Sequence, residues 1–555
     1  MPASQIQPLV LNDVGVYGLN SQASPSALEP QWLSSAINVI LDEQGRISTR
    51  KGFQQVTETL SAGEEVQSIF EYYKSNGSTE IIVGTDSNIY KINETTTPYL
   101  LTAQTRTGTP QTITSGHWQW VNFNEKLYGV QSGHTPVYYS GTAWTDLVDL
   151  GSYNPPSGIT TFDPNCILGE YGRLWVGGIT ENSNVIYYSD TLQGDKWNTG
   201  ASGQLDLKTV WGGDSIQGLA AFQGKLVIFG EYNIAIYQNP WDPSASDFQL
   251  EELIEGVGLK ARDSIAHMGS DLIFLSNTGL TSLGRTVLQN GSLPITNYSK
   301  NIRDELALNI VNNDMQQCKS AYCLCGGFYL LSFPDRNLCY YFDFTIKNPD
   351  GTPRVSKFVF NSGEGAHALL STVDGRLWVG RNNTGNVALL RNYYDQFKTD
   401  VTATYGTEEA CETAGHTWES TNSKCWQTTN QSYDSSFRTV WMDFNNPAVA
   451  KLLKRFFMVI EGGRGMDVAF TTYRDYNSYG DSQYFTLSGG TTYVYGGTGS
   501  LFGSAKYATS GKPIEYKISM GKSAKEVQIE MTGSVKGYKA SLQNMTLLAK
   551  AGKVR

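Results

Sequence analysis

The residue types that most often carry catalysis are few and scattered in this chain. Its five histidines are His117, His134, His267, His367 and His416. None belongs to an HExxH motif, and none has a second ligand at helical spacing. No serine stands in a GxSxG motif, which would place a nucleophile on a sharp turn between a strand and a helix. Zinc-dependent and serine-dependent hydrolysis are therefore disfavoured.

A group of cysteines is the first candidate for a metal site, because thiolates at short spacing bind zinc. The group consists of Cys318, Cys323, Cys325 and Cys339. If strands at 322–331 and 338–344 pair across a turn at Pro334, Cys339 lies opposite about residue 330, roughly 17 Å from Cys325. This separation favours small buried side chains on a strand face. We therefore predict no metal-binding residue.

Paired carboxylates are the second candidate, because propeller glycosidases use two of them about 5 to 9 Å apart. Asp163, Glu170 and Asp374 are the residues in question. Their glycine and proline neighbours are typical of turns, which favours a structural role. We predict no catalytic residue and no enzyme activity.

The tripeptide Gly521-Lys522-Ser523 matches the end of a phosphate-binding loop. The glycine that such a loop needs at position 516 is a tyrosine, and the surrounding residues alternate as in a strand. We therefore expect no cofactor-binding residue and no cofactor.

A repeated hairpin is the element that organises most of the chain. The sequence GRLWVG, a polar turn and a second apolar strand occur at 167–190 and again at 371–395. Side chains alternate along a strand, so Leu377 and Val379 share one face and Arg376 and Trp378 the other. Looser copies begin at Thr79, Asn124, Gly224, Ser270 and Gly326. A period of roughly 40 to 57 residues is typical of four-stranded propeller blades, so Trp175 and Trp378 are expected at equivalent positions in two blades.

Composition and charge agree with an all-β protein. The chain has 555 residues, 32 Tyr, 22 Phe, 12 Trp and 57 Gly, a content typical of strands and turns. No apolar run of eighteen residues and no basic start with an apolar core occurs, so neither a membrane span nor a secretion signal is predicted. The net charge of -10 argues against general attraction to nucleic acid. Residues 506–555 nevertheless hold ten cationic and three acidic side chains. That basic end is either a solvated surface or a docking face.

These observations divide the chain into four predicted parts. Residues 1–60 form an N-terminal docking segment with a short helix at 34–41 and a strand at 46–53, and residues 61–396 form a β-propeller of about six to eight blades. Residues 397–438 are an insertion, and residues 439–555 form a β-sandwich-like domain with a Gly-rich projecting loop at 485–513. In the insertion, Cys411 and Cys425 bracket a loop whose closure by a disulfide is worth about 3 kcal/mol. The sequence is compatible both with a disulfide between Cys411 and Cys425 and with two free thiols.

Several stretches resemble one protein family. The first contains Asn38-Val39, Asp42, Gly45-Arg46, Arg50 and Gly52-Phe53. Others are at 118–147, 255–284, 451–462 and 521–533. Together they resemble the tail nozzle, or tail tubular protein B, family of short-tailed bacteriophages.

The resemblance implies a structural virion protein at the distal end of the tail. Its expected partners are further copies of itself in a ring, usually a homohexamer, tail adaptor proteins and tail fibres or spikes. Viral DNA is expected to pass through an acidic lumen without sequence-specific binding during DNA ejection, with the loop at 485–513 as a candidate gate. The expected location is the virion tail, after assembly in the host cytoplasm. Two alternatives stay open, a propeller enzyme that degrades host surface polysaccharide and a propeller module that binds a protein.

Overall fold

The computed structural model describes residues 6–11, 13–42, 45–60, 64–284, 297–324, 326–360, 364–381, 385–444, 447–488 and 513–551. Strands predominate among these residues. Three short α-helices have described bounds, α1 (Lys208–Trp211), α2 (Arg303–Asn312) and α3 (Glu408–Thr413). Short 3-10 helices lie at Leu147–Asp149, Arg262–Ser264, Lys300–Ile302 and Pro334–Arg336.

The first six strands, within the predicted docking segment at 1–60, are divided among three sheets. They are β1 (Ile6–Leu11), β2 (Gly18–Leu19), β3 (Trp32–Ile37), β4 (Val39–Leu41), β5 (Ile47–Thr49) and β6 (Gly52–Gln55). Strands β1, β4 and β5 join one sheet, β2 and β3 join a second sheet, and β6 joins a third. The stretch at 46–53, predicted as one strand, is thus shared between two sheets.

The helix predicted at 34–41 is wrong. The apolar residues there recur at spacings of three and four, which imitates an amphipathic helix. Instead β3 pairs with a distant C-terminal strand, where Ala36 lies opposite Phe437. Asn38, with a φ of 54°, then turns the chain between β3 and β4. Long-range pairing has overridden the local pattern.

The propeller prediction is confirmed, with seven blades in the described residues. Blade 1 contains β7 (Val66–Tyr73), β8 (Thr79–Thr85), β9 (Ile89–Asn93) and β10 (Leu100–Ala103). Blade 2 contains β11 (Arg106–Thr107), β12 (Gln119–Phe123), β13 (Lys126–Gln131), β14 (His134–Tyr139) and β15 (Trp144–Asp146). Blade 3 contains β16 (Cys166–Glu170), β17 (Arg173–Gly177), β18 (Val185–Tyr188) and β19 (Gly203–Asp206). Blade 4 contains β20 (Ile216–Phe222), β21 (Lys225–Gly230), β22 (Asn233–Gln238) and β23 (Gln249–Glu255).

The last three blades complete the ring. Blade 5 contains β24 (Ala266–Met268), β25 (Asp271–Ser276) and β26 (Gly279–Ser282). Blade 6 contains β27 (Lys319–Cys323), β28 (Phe328–Phe333), β29 (Leu338–Lys347) and β30 (Pro353–Val359). Blade 7 contains β31 (Ala366–Ser371), β32 (Leu377–Arg381) and β33 (Val387–Arg391). The ring is closed because β6 from the N-terminus pairs with β33 as the fourth strand of blade 7, and the inner strand β31 contacts β7 of blade 1.

The repeated hairpin corresponds to the second and third strands of every blade. Trp175 on β17 and Trp378 on β32 occupy the same position, as predicted, and both side chains are fully buried. Trp175 packs in the cluster between blades 3 and 4, and Trp378 packs in the cluster between blades 7 and 1. Each blade thus buries the apolar face of its hairpin against the next blade, which a single hairpin cannot do alone.

The C-terminal strands form a β-sandwich. Its C-terminal strands are β37 (Tyr433–Thr439), β38 (Lys451–Gly462), β39 (Asp467–Arg474), β40 (Asp481–Thr486), β41 (Ile514–Ala524), β42 (Val527–Val535) and β43 (Ala540–Ala551). The three strands that precede them, β34 (Asp395–Asp400), β35 (Thr417–Glu419) and β36 (Lys424–Gln431), lie outside the sandwich. One layer has the order β4-β5-β43-β38-β41, with β1 also paired to β43, and the other has the order β37-β42-β39-β40. Phe456 and Phe470 meet across the two layers with ring centroids 4.8 Å apart.

A continuous sheet connects this sandwich to the propeller. Its ten strands have the order β27-β28-β29-β30-β2-β3-β37-β42-β39-β40, so all of blade 6 and one sandwich layer are hydrogen-bonded into one sheet. Strands β2 and β3 form the bridge between the two parts. Relative motion of propeller and sandwich would therefore break backbone hydrogen bonds as well as side-chain contacts.

The insertion predicted at 397–438 extends blade 7. Strands β34, β36 and β35 continue its sheet outward from β6, and β37 belongs to the sandwich. Cys411 on α3 and Cys425 on β36 form a disulfide with Cα atoms 5.7 Å apart. The Gly-rich loop predicted at 485–513 lies outside the described residues over 489–512. At its base, Phe485 stacks on Tyr516 with ring centroids 5.3 Å apart.

Reduction of this disulfide is expected to destabilise the insertion by about 3 kcal/mol, because the unfolded loop regains its freedom. Limited proteolysis with and without dithiothreitol provides the measurement, with cleavage at 401–431 expected to accelerate on reduction. The variant Cys411→Ser/Cys425→Ser is the control, since it keeps the other five cysteines. Equal cleavage rates of the oxidised and reduced wild-type chain would contradict the prediction.

Candidate functional site: the propeller axis and the propeller–sandwich junction

Cys318, Cys323 and Cys339, for which no metal site was predicted, are buried among apolar side chains. Cys339 lies opposite Ser332, two residues away from the predicted partner, because the turn between β28 and β29 is shorter than assumed. Cys318 packs on one face of the sheet, whereas Cys323 and Cys339 pack on the other. Burial raises the pKa of the Cys339 thiol to about 12, which disfavours a thiolate ligand. Cys325 lies outside the described residues.

The three carboxylates weighed as a catalytic pair are not brought together. Asp163 accepts hydrogen bonds from the backbone nitrogen and hydroxyl of Thr180, at 3.2 and 2.6 Å. Glu170 ends β16, whereas Asp163 precedes that strand, so the length of β16, about 13 Å at 3.3 Å per residue, lies between them. Asp374 is in blade 7, where it pairs with Arg376 at 2.6 Å. Asp163 and Asp374 thus each stabilise a local turn.

The Gly521-Lys522-Ser523 tripeptide lies inside β41, as the alternation of its neighbours suggested. Gly521 has a φ of 68° at a point where the register between β38 and β41 shifts, which indicates a β-bulge. In the described part of the chain, no group of three or more His, Cys, Asp or Glu side chains is placed to hold a metal ion. Nor is any helix there long and apolar enough to cross a membrane.

Four of the N-terminal residues that carry the family resemblance, Asn38, Arg50, Gly52 and Phe53, meet in one buried junction between propeller and sandwich. The Asn38 side chain donates to the backbone oxygens of Asp434 and Val359, at 2.7 and 3.2 Å. Its Oδ1 accepts from Arg50 Nε at 2.9 Å and from the Val359 nitrogen at 3.0 Å. A single amide thereby connects blade 6, the N-terminal segment and the sandwich strand β37.

Arg50 is the charged centre of this junction and is 1% exposed. Its guanidinium pairs with both carboxylate oxygens of Asp395 at 3.3 Å and stands 3.9 Å from the ring centroid of Tyr433. Asp395 Oδ1 also accepts from the backbone nitrogen of Phe53 at 2.8 Å. At Gly52, a Cβ atom would lie 2.0 Å from the backbone oxygen of Tyr394, so only glycine fits. These motif residues have a structural role that their sequence pattern did not disclose.

A second cluster of charged side chains lies near the propeller axis. Arg262 pairs with Asp263 at 2.8 Å and donates to the backbone oxygens of Asn165 and His117, both at 2.7 Å. The ammonium of Lys319 contacts Asp263 from blade 6. Burial alone raises the pKa of Asp263, but Arg262 and Lys319 outweigh it and hold the pKa well below its usual range. The cluster thus ties blades 2, 3, 5 and 6 together by paired charge.

Beside this cluster is a polar pocket of about 410 Å³, whose wall includes Arg262. The innermost strands of the blades run in the same direction along the axis, so the residues that precede them meet there. His117, Gln131, Gln217, Lys260 and Arg262 are among its lining residues. Burial, with a further contribution from Lys319, lowers the pKa of His117 to about 3, so the ring is neutral at physiological pH.

Sequence reasoning did not identify this pocket. Its residues come from blades 2 and 4 and from the segments that precede the inner strands of blades 2, 3, 5 and 6, and no two neighbouring ones form a recognised motif. The one signal was the adjacent pair Arg262-Asp263 inside the stretch at 255–284, which had contributed only to the family resemblance.

Comparison with known proteins gives little further information. No protein-family model matches the chain, and no curated protein matches it. Solved structures with some likeness include the extracellular domain of a hybrid two-component system of B. thetaiotaomicron, with a TM-score of 0.40 and 13% identity over 64% of this chain and 42% of that one. The WD40 β-propeller domain of Doa1 has a TM-score of 0.37 and 11% identity over 61% and 96%.

A third such structure is PorZ, a surface component of the type-IX secretion system of Porphyromonas gingivalis, with a TM-score of 0.36 and 10% identity over 60% of this chain and 38% of that one. The match thus spans less than half of the length of PorZ and of the two-component system's domain. With TM-scores below 0.5, none of these likenesses supports an inference about this chain.

Proposed function

We propose that this protein is a wall subunit of the distal nozzle of a short bacteriophage tail. Several copies, in number close to the homohexamer of the resembled family, would surround the channel through which DNA leaves. Tail adaptor proteins and tail fibres or spikes would be its neighbours in the virion. The role is structural, and the chain itself would carry out no chemistry.

The observation that carries this proposal is the rigid connection between propeller and sandwich. The ten-stranded sheet and the Asn38–Arg50–Asp395 junction couple the two parts through backbone pairing and buried charge. A subunit that keeps its shape under the pressure of passing DNA needs such a connection. Asn38, Arg50, Gly52 and Phe53, four of the residues that resemble the nozzle family, lie in this junction, which links part of the resemblance to a mechanical property.

Localisation in the virion tests the proposal. Antibodies raised against the purified chain are expected to label the distal end of a short tail in negative-stain images of phage particles. Phage particles labelled at the capsid, or particles that lack the protein altogether, would contradict it.

The basic C-terminal end is expected to contribute to assembly. Three of its lysines already have acidic partners in the same chain: Lys522 contacts Asp481, Lys536 lies 2.6 Å from Asp467, and Lys539 lies 3.5 Å from Asp42. The surface is therefore less cationic than the sequence indicates. Lys517 and Lys525 are exposed and remain available to an acidic face of a neighbouring subunit or adaptor.

The variant Lys522→Glu/Lys525→Glu is expected to assemble less well than the wild-type chain, because it reverses the charge of this edge. Sedimentation velocity at several salt concentrations measures the assembly, and circular dichroism of the subunit is expected to stay unchanged. The control Lys208→Glu/Lys347→Glu makes the same change in net charge on exposed propeller residues. If Lys522→Glu/Lys525→Glu assembled as the wild-type chain does, with the same dependence on salt, this edge would be only a solvated surface.

The chain is expected to hydrolyse neither polysaccharide nor peptide. Asp163 and Glu170 are separated by the length of β16, whereas paired carboxylates of glycosidases stand about 5 to 9 Å apart. Incubation with host envelope polysaccharide, followed by analysis of released sugars, is the measurement. Activity that one carboxylate substitution abolishes without loss of folding would favour the enzyme alternative.

A further inference from the structure

We propose that the axial pocket is a binding site for a neutral, polyhydroxylated ligand of one or two sugar rings. The site belongs to the single propeller, so it does not depend on assembly into a ring. The argument rests on the volume, the unpartnered polar atoms and the charge balance of the pocket.

The volume suits a small ligand. About 410 Å³ falls within the 300 to 1,000 Å³ that is usual for small-molecule sites. Leu259 and Met315 give the polar wall an apolar patch, against which the C–H face of a sugar ring can pack.

Two polar side chains beside the pocket have atoms without hydrogen-bond partners. The Gln131 side chain is 3% exposed, and its Oε1 is buried with no partner among the described residues. The same holds for Nδ1 of His117. An unpaired buried polar atom costs about 1 to 3 kcal/mol, so a side-chain rotation that brings either atom to a ligand hydroxyl in the pocket recovers that free energy. Both residues line the pocket, Gln131 from the end of β13 and His117 from the segment before β12.

The charges around the pocket balance one another. Lys260 pairs with Glu231 at 3.0 Å on the pocket wall. Below, every N–H group of Arg262 already donates to Asp263, Asn165 or His117. An anionic ligand would therefore have to break a formed ion pair before it gained one. A neutral ligand can form hydrogen bonds with these paired groups without breaking their ion pairs, since each of its hydroxyl groups both donates and accepts.

The test uses the isolated full-length chain and saturation-transfer NMR. The probes are glucose, galactose, mannose and N-acetylglucosamine at about 10 mM, a concentration that reveals weak binding with millimolar dissociation constants. Saturation is expected to be transferred from the protein to at least one sugar. Citrate at the same concentration is expected not to displace that sugar.

Two pocket variants and one control complete the experiment. Gln131→Leu removes the unpartnered acceptor at nearly constant volume, and Gln217→Ala removes a second amide from the wall. Each is expected to weaken binding about tenfold, whereas Gln204→Leu, on the exposed outer strand of blade 3, is expected to bind as the wild type does. Circular dichroism establishes that each variant is folded.

Three results would overturn the proposal. They are the absence of saturation transfer to all four sugars, wild-type affinity in both pocket variants, and displacement of a bound sugar by citrate. Because Gln217 is half-buried at the wall rather than in the core, its variant remains informative even if Gln131→Leu does not fold.

Discussion

Arg50→Ala is expected to destabilise the protein by about 3 to 5 kcal/mol, because it leaves the buried carboxylate of Asp395 without its cation. The guanidinium also stacks on Tyr433 and donates to Asn38 and to the backbone oxygen of Lys51. The contacts with Asp395 and Tyr433 connect the N-terminal segment to blade 7 and the sandwich, and those with Asn38 and Lys51 lie within that segment. Urea unfolding monitored by tryptophan fluorescence gives the free energy of unfolding.

Arg474→Ala is the matched control, since Arg474 pairs with Asp481 at 2.9 Å but is 31% exposed. Exposed pairs contribute about 0 to 1 kcal/mol, so this variant is expected to resemble the wild type. The double variant Arg50→Ala/Asp395→Ala is expected to lose less stability than the sum of the two single variants, since neither charge is then left unpaired. Equal losses for Arg50→Ala and Arg474→Ala would show that the junction does not couple the two domains.

Trp378→Ala is expected to cost about 3 to 5 kcal/mol, because it leaves a large cavity between blades 7 and 1. Trp378 is fully buried, lies opposite Leu389 and shares one hydrophobic cluster with Val66 and Val83 of blade 1. The contact lies where the chain closes the ring with a strand from its N-terminus, so the variant weakens the closure itself. The free energy of unfolding in urea is again the measurement.

Trp175→Ala provides a test of the repeat, since the same position in blade 3 packs against blade 4. Its loss is expected to be similar to that of Trp378→Ala. Trp241, which is 66% exposed, is the control, and Trp241→Ala is expected to change stability by no more than about 1 kcal/mol. A loss in Trp378→Ala as small as that in Trp241→Ala would contradict the assigned packing between blades.

The blades could be predicted from sequence because their signal is local and repeated. The motif GRLWVG needs only a period of two and a turn, and its copies at 167–190 and 371–395 reinforce one another. The number of units, about seven, was predicted for the same reason. The residue opposite Cys339 is two positions away from the predicted one, because the pairing register depends on the length of one turn.

The features that sequence reasoning missed are those formed by distant parts of the chain. Ala36 pairs with Phe437, and Arg50 pairs with Asp395, at separations that no local pattern reveals. The same holds for the axial pocket, where Gln131 and Lys260 meet only because the propeller closes into a ring. Periodicity predicts which face of a strand is buried, but it does not identify the distant residue that covers it.

The number of copies in the assembled protein tests the central proposal most directly. Single-particle cryo-electron microscopy of the purified protein, alone and with its tail neighbours, is expected to show a closed ring of about six copies around an open channel. In that ring, propeller and sandwich would keep one fixed relative orientation. A single copy under all of these conditions, or subunits with variable angles between propeller and sandwich, would contradict the proposed role as a nozzle wall.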